Sequence, residues 1–258
     1  MAQLFNERAY VVSNEPVGPR LHIMTLHSPE IARTIQPGQF GHLKVPGRNE
    51  HVLRRPFSVF ARNAQAGTLE ILYQEVGALT AYMPSIKSGE FEALGPLGNT
   101  WDDNCSSALL VGGGVGAAPL FMFAERLVGK GIACDVVLGA QTREALVTRE
   151  RYASLLGREP ACSTDDGTFG RAGFCTSLVE ERLAAGSSAH AAPYDLMAVC
   201  GPEPLMRIVE AQVRTQVSLE KRMACAIGAC LSCVVDTVNG KKRSCVDGPV
   251  FEAGEVVW

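Results

Sequence analysis

At 258 residues the chain is long enough for two domains and a small appendage. Hydrophobic residues make up 47% and charged ones 20%, and a formal net charge of −3 with a pI near 6.0 leaves no basic footprint for nucleic acid. The stretch Met1 to Arg8 lacks the apolar segment of a secretory signal, and no run of about 18 apolar residues offers a membrane span.

Residues 1–102 read as all-β. Tyr10-Val11-Val12, Leu21 to Leu26, Phe40 to Val45 and Thr68 to Tyr73 show partial alternation, separated by turn formers at Pro16, Gly18-Pro19, Pro37-Gly38, Pro46-Gly47 and Gly67. That spacing predicts a small antiparallel barrel. A helical patch is expected from Leu79 to Ile86, and Gly95-Pro96-Leu97-Gly98 is expected to close the section as a turn. Within the barrel, Arg54-Arg55-Pro56-Phe57-Ser58 sets a basic side chain and a hydroxyl across a proline. Arg55 suits a pyrophosphate, and Ser58 a phosphate or a flavin ring; an exposed arginine pair on a strand edge has the same look.

From 103 to 218 the rhythm becomes strand, loop, helix, repeated. Ala108 to Val111 runs into Gly112-Gly113-Gly114-Val115-Gly116 and then a helix from Ala118 to Val128. Strand Ala133–Leu138, helix Arg149–Leu156, strand Ala161–Thr164, helix Thr176–Ala185 and strand Asp195–Cys200 follow, and Pro202 opens a helix expected to reach about Gln216. This alternation predicts a parallel sheet covered by helices on both faces. Gly112 to Pro119 fits G-x-G-x-x-[GA] between strand and helix, where backbone N–H groups can face a pyrophosphate. No acidic residue stands about 20 residues on, where Gly139-Ala-Gln-Thr-Arg143 ends the next strand, so the ordinary fingerprint is incomplete. A tight packing turn is the alternative. Cys200-Gly201-Pro202 lies at a strand's C-terminal edge, where a thiol can touch a nicotinamide or be a buried strand-end cysteine. Asp165 and Asp166 either reach a ribose or shape an Asx turn. His22, His27, His42, His51 and His190 show no metal-ligand spacing and read as surface or barrel residues.

Residues 219–258 carry Cys225-Ala-Ile-Gly-Ala-Cys230-Leu-Ser-Cys233 and then Cys245, the C-x4-C-x2-C…C spacing by which plant-type ferredoxins hold a [2Fe-2S] cluster. Three thiolates must converge on a small core, and Ala226, Gly228, Ala229 and Ser232 are small enough to let the main chain approach. Val234–Val238 and Lys241–Cys245 read as a hairpin turning at Asn239-Gly240 and returning the fourth thiolate. Zinc or a disulfide is the alternative, but zinc sites usually pair two knuckles and only one is present. The other cysteines, Cys105, Cys134, Cys162, Cys175 and Cys200, are scattered singly, as reduced thiols are in a cytoplasmic protein.

The order of these motifs resembles the ferredoxin–NADP reductase superfamily. Met223 to Val234 and Cys245-Val-Asp-Gly-Pro-Val-Phe251 are similar to the electron-transfer subunits of type B, NAD-dependent dihydroorotate dehydrogenases. The resemblance spans nearly the whole chain, with small departures: Ala226 and Ser232 stand where glycine is expected, and Trp101 where phenylalanine is more usual. It implies a FAD-binding β-barrel (1–102), an α/β parallel-sheet NAD domain (103–218) and a small C-terminal [2Fe-2S] subdomain (219–258). It further implies FAD on Arg55, Pro56, Phe57 and Ser58, with Leu72, Tyr73, Gln74, Gly77, Leu79 and Thr80 lining ring and phosphates. NAD is implied over Gly112, Gly113, Gly114, Gly116 and Cys200-Gly201-Pro202, and the cluster on Cys225, Cys230, Cys233 and Cys245. The implied partner is an FMN-containing catalytic subunit carrying the dihydroorotate site, in a heterotetramer of two plus two, and the implied role is passing its electrons through cluster and FAD to NAD+ in pyrimidine biosynthesis. The rival readings are the small subunit of a related NAD(P)H:ferredoxin oxidoreductase or sulfide dehydrogenase, and a non-catalytic iron–sulfur sensor on a flavin-domain scaffold. Cys225 counts against the first, which resembles this chain but uses Asp near that position; intact flavin and NAD motifs count against the second.

Overall fold

The computed structural model describes residues 3–48, 50–184, 194–208 and 213–258. Strands β1 (Phe5–Gly18), β2 (Leu21–His27), β3 (Phe40–Lys44), β4 (Arg55–Ser58), β5 (Ala61–Asn63), β6 (Thr68–Gln74) and β7 (Glu90–Leu97) form a seven-stranded antiparallel sheet in the order β4-β3-β7-β1-β2-β6-β5. Its two edge strands, β4 and β5, are consecutive in the chain with only Val59 and Phe60 between them, so the sheet curls round on itself. Met24, Leu26, Leu43, Ile71 and Phe91 fill the interior, joined by Ile31 of helix α1 (Pro29–Thr34) and Leu79 of α2 (Ala78–Tyr82). The helical patch is therefore present, continued by a 3-10 turn over Met83–Ser85.

Two expectations for this region are corrected. β1 continues through Pro16, which is accommodated beside an irregularity between Pro16 and Gly18. Gly95-Pro96-Leu97 is not a turn but the end of β7: Gly95 pairs with Phe5 and Leu97 with Phe40, and the chain turns only at Gly98, with φ 79°. Local turn chemistry is overruled there by pairing on both sides.

The second sheet is built from β8 (Ser107–Gly113), β9 (Ala133–Ala140), β10 (Ala161–Thr164), β11 (Arg171–Ala172), β12 (Leu196–Cys200) and β13 (Arg214–Ser218), all parallel. Helices α3 (Ala118–Gly129), α4 (Arg149–Leu156), α5 (Thr176–Ala184) and α6 (Glu203–Ile208) accompany it. Ala185, the expected end of the α5 segment, and His190 lie outside the described residues. The helix expected to reach Gln216 is corrected: α6 is described over Glu203–Ile208, residues 209–212 lie outside the described residues, and Arg214–Ser218 is a strand with Val217 fully buried. Five residues of mixed polarity have no readable period, and pairing with β12 decides their state.

The last section contributes a hairpin, β14 (Val234–Thr237) and β15 (Gly240–Arg243), and then β16 (Val250–Glu252), which pairs antiparallel with β13 and becomes an edge of the second sheet. The hairpin turns at Val238-Asn239, one residue earlier than expected, because Thr237 pairs with Gly240, whose φ is 98°. Cys245 sits in the turn after β15 rather than on the strand. Among the described residues no helix is long and apolar enough to cross a membrane.

Candidate functional site

On β4, Arg54 and Arg55 have different fates. Arg54 is paired with Glu92 at 2.8 Å. Arg55, half-buried, has no carboxylate partner among the described residues; its Nη1 donates to the Leu53 carbonyl at 2.8 Å and the Arg54 carbonyl at 3.2 Å. A guanidinium resting on backbone carbonyls keeps most of its fork for a phosphate. β4 is also an edge strand, so one row of backbone groups is unpaired by sheet. Pro56 and Ser58 are half-buried, while Phe57 is buried edge-on to Tyr73. Val52 and Val76, on the loops flanking this region, are 76% and 75% exposed, an apolar rim without protein cover.

β6 splits its residues between two surfaces. Tyr73 faces the barrel interior, where its hydroxyl donates to Asn14 Oδ1 at 2.9 Å and Asn14 Nδ2 donates to the carbonyls of Met83 and Ile86. Its hydroxyl is thus committed internally, and burial pushes it up to about 12. Leu72 faces the other way, into the apolar group that contains Ala117 and Cys200. Gln74 is exposed, Leu79 is buried, and Thr80 Oγ1 accepts the N–H groups of Val76 and Gly77 at 2.9 and 3.1 Å, fixing the start of α2. Gly77 faces open space.

The glycine loop and the Cys200-Gly201-Pro202 motif, far apart in sequence, form one surface. Gly112 pairs with Cys200 across β8 and β12. A Cβ on Gly116 would lie 2.5 Å from the Cys200 carbonyl oxygen, and one on Gly113 3.0 Å from Pro202 Cδ. Gly116 is required by close backbone approach, whereas Gly113 faces the side chains of Leu205 and Pro202. Gly114, with φ 57°, is open to solvent at the tip, and a 3-10 turn over Gly114–Ala117 leads into α3. Cys200 is 1% exposed, and burial, followed by the charge of Glu220, raises its thiol far above the usual range. Burial thus favours the neutral thiol. Gly116→Ala should push the Gly114–Ala117 turn away from the end of β12, costing about 1–3 kcal/mol. Thermal unfolding together with NADH titration checks this; an unchanged Tm and unchanged NADH affinity would contradict it.

At the ends of β9 and β10, Asp166 Oδ1 accepts both the N–H of Thr168 at 3.0 Å and its hydroxyl at 2.7 Å, so that carboxylate shapes the turn.

In the C-terminal loop, Cys225 is half-buried, Cys230 exposed, and Cys233 and Cys245 buried; all nine cysteines are unbridged. Ala226, Gly228 and Leu231 have φ of 59°, 82° and 59°, a repeated left-handed backbone that curls the loop. Among the described residues no three His, Cys, Asp or Glu side chains are arranged to hold one metal ion. The Cys230 N–H donates to Cys225 Sγ at 3.4 Å, and the Cys245 thiol lies against Cys233. Ser232, the departure noted above, has a use: its hydroxyl receives the Ala224 N–H at 3.1 Å and bonds Cys230 Sγ at 3.4 Å. It is the largest cause of a Cys230 thiol lowered to about 6, while burial and Cys233 push Cys245 up to about 12. Cysteines at this spacing on a curled loop, with the Arg243 guanidinium on the Gly228 carbonyl, fit a metal core whose charge would hold all four as thiolates.

Sequence reasoning missed the residues that dock this loop. Asn99 donates from Nδ2 to the carbonyls of Asp247 and Val250 at 3.1 and 2.8 Å and accepts the Val250 N–H at 3.0 Å. Arg243 bridges Asp247 and the Gly228 carbonyl. Met223, Ala226, Cys233 and Cys245 pack on Phe40 and Leu97 of the barrel. Only the Asn following Gly98 offered a signal, as a turn residue.

Comparison with known proteins fits this geometry. Residues 220–257 match the iron-sulfur cluster binding domain of dihydroorotate dehydrogenase B, and residues 110–211 an oxidoreductase NAD-binding domain. The chain is 36% identical to the dihydroorotate dehydrogenase B (NAD(+)) electron transfer subunit of Geobacillus sp. (strain WCH70), covering 97% of this chain and 98% of that one. It is 35% identical to the subunit of the same name from Bacillus pumilus (strain SAFR-032), covering 97% and 98%. Among solved structures, a chain of the NADH-dependent reduced ferredoxin-NADP oxidoreductase superposes with a TM-score of 0.84 at 27% identity, over 97% of this chain and 90% of that one. Phthalate dioxygenase reductase, at 16% identity and TM-score 0.63 over 90% and 87%, shares the fold.

Proposed function

Since the chain belongs to the electron-transfer subunits of dihydroorotate dehydrogenase B (NAD(+)), we infer that it passes electrons from a catalytic partner to NAD+ through a [2Fe-2S] cluster and FAD, in de novo pyrimidine biosynthesis. When bound, the cluster carries single electrons, and the flavin takes them singly and yields them in pairs as the hydride that NAD+ requires. The feature that carries this reading is the C-x4-C-x2-C…C set of Cys225, Cys230, Cys233 and Cys245 on a curled loop docked against the barrel.

We assign residues 1–102 to FAD, 103–218 to NAD and 219–258 to the cluster, with β16 lending the last segment to the NAD sheet. Arg55 would hold the pyrophosphate and Ser58 the flavin, at the open edge of β4. Leu72 would seat the ring where β6 meets Cys200 and Ala117, with Phe57, Leu79 and Thr80 fixing the walls. The backbone of Gly112 to Gly116 and of Cys200 to Pro202 would take the dinucleotide. Cys225, Cys230, Cys233 and Cys245 would be the ligands. The chain's own residues orient two cofactors and exclude water; no acid–base pair is required. The partner carries FMN and the dihydroorotate site, assembled two plus two. Unbridged thiols throughout support a cytoplasmic setting.

The test is elemental and flavin analysis of the purified chain: about one FAD and two irons per chain are expected from the two sites. Zinc in place of iron would overturn the cluster assignment.

A further inference from the structure

We propose that His42 is a positioning residue for the iron–sulfur centre, its imidazole N–H donating a hydrogen bond to a sulfur of that centre from the barrel side. The inference rests on Cys225, Cys230, Cys233 and Cys245 being the ligands. His42 is 1% exposed, and neither Nδ1 nor Nε2 has a hydrogen-bond partner among the described residues. A buried imidazole with both nitrogens idle is a costly arrangement that proteins seldom retain without something to meet it.

The strand register says where it points. On β3 and β7, Leu43 pairs with Ala93 and both turn into the barrel core. The preceding pair, His42 and Leu94, therefore turns outward. That outer face is the one the C-terminal loop covers. Leu94 packs against the group formed by Phe40, Leu97, Met223, Ala226, Cys233 and Cys245. Across β3, His42 pairs with Pro56 of β4. The residue thus stands between the strand assigned to FAD and the face that receives two of the four thiols.

Its protonation state suits a donor to a sulfur. Burial, reinforced by the Arg54 and Arg55 guanidinium groups, pushes the imidazole down to about 4, leaving it neutral with one N–H. The Arg54 carbonyl lies nearby but outside hydrogen-bond geometry. Hydrogen bonds to cluster sulfurs stabilise the reduced, more negative form and raise the potential, so such a donor would tune the centre without being a ligand.

The experiment uses the full chain with its cofactors. His42→Phe removes both nitrogens, and His42→Gln retains an N–H. The Phe variant should keep its iron and FAD content but show a cluster midpoint potential shifted to more negative values and an altered EPR signal of the reduced state. The Gln variant should recover most of the shift. Should the Phe variant not fold, pulsed EPR of the reduced wild type labelled with 15N-histidine decides the matter, with a coupled 15N nucleus expected. An unshifted potential in the Phe variant, or no 15N coupling, overturns the proposal, the imidazole then being turned to Arg54. A shift in flavin content or flavin potential with the cluster unchanged also overturns it, placing the bond on FAD. A wild-type chain without iron would instead bring down the ligand assignment itself.

Discussion

Cys230→Ser is expected to reduce electron flow between NAD and the catalytic partner by on the order of 100-fold or more, since on the proposed ligand set it would remove one ligand outright. NADH oxidation by an artificial two-electron acceptor should stay near the wild-type rate, because that reaction needs only the flavin and nicotinamide sites. The separation depends on the C-terminal segment staying in place when the cluster is weakened, and 40 residues are too few to hold a core of their own. The structure supplies the anchors: β16 is a strand of the NAD sheet, Asn99 makes three hydrogen bonds to it and its approach, and Met223 and Ala226 pack on Phe40 and Leu97. FAD content and partner association should therefore persist in the variant and are measured beside both activities. If the complex assembles with FAD and dihydroorotate still reduces NAD+ at the wild-type rate, the cluster is not on the electron path.

Arg55→Ala is expected to weaken FAD retention by roughly 10- to 100-fold, the value of one charge-assisted contact to a pyrophosphate. Arg54→Ala is the internal control. Its ion pair with Glu92, whose side chain is 65% exposed, is a solvated one, worth about 0–1 kcal/mol and no flavin. Flavin occupancy after gel filtration reads the contrast. Equal loss from both variants, or none from Arg55→Ala, would show that the open edge of β4 is not the pyrophosphate site.

Several errors made from sequence share one cause. Gly95-Pro96-Leu97 carries strong turn signals yet is strand, and Arg214–Ser218 lacks a clear period yet is strand. In each case neighbours on both sides supply hydrogen-bonding partners that local preference cannot know about. Tyr73 shows the same limit at a side chain: strand alternation predicts that it and Leu72 face opposite ways, but only the packed barrel shows that Tyr73 spends its hydroxyl on Asn14.

The order of chemistry along this protein was set by residue type and spacing alone. Four cysteines at C-x4-C-x2-C…C, a glycine loop between strand and helix, and an arginine and a hydroxyl flanking a proline are local patterns, because the groups proposed for them would each be held within a few bonds' reach. Tertiary structure decided how these pieces meet. Contact of Gly113 and Gly116 with Cys200-Gly201-Pro202 arises because β8 and β12 pair across a long stretch of intervening chain. Docking of the thiol loop on Phe40 and Leu97, its fastening by Asn99, and the burial of His42 on the same face are likewise products of packing. Such contacts join residues distant in sequence, and their geometry is fixed by close-packed volume and strand register, neither of which leaves a local mark on the chain.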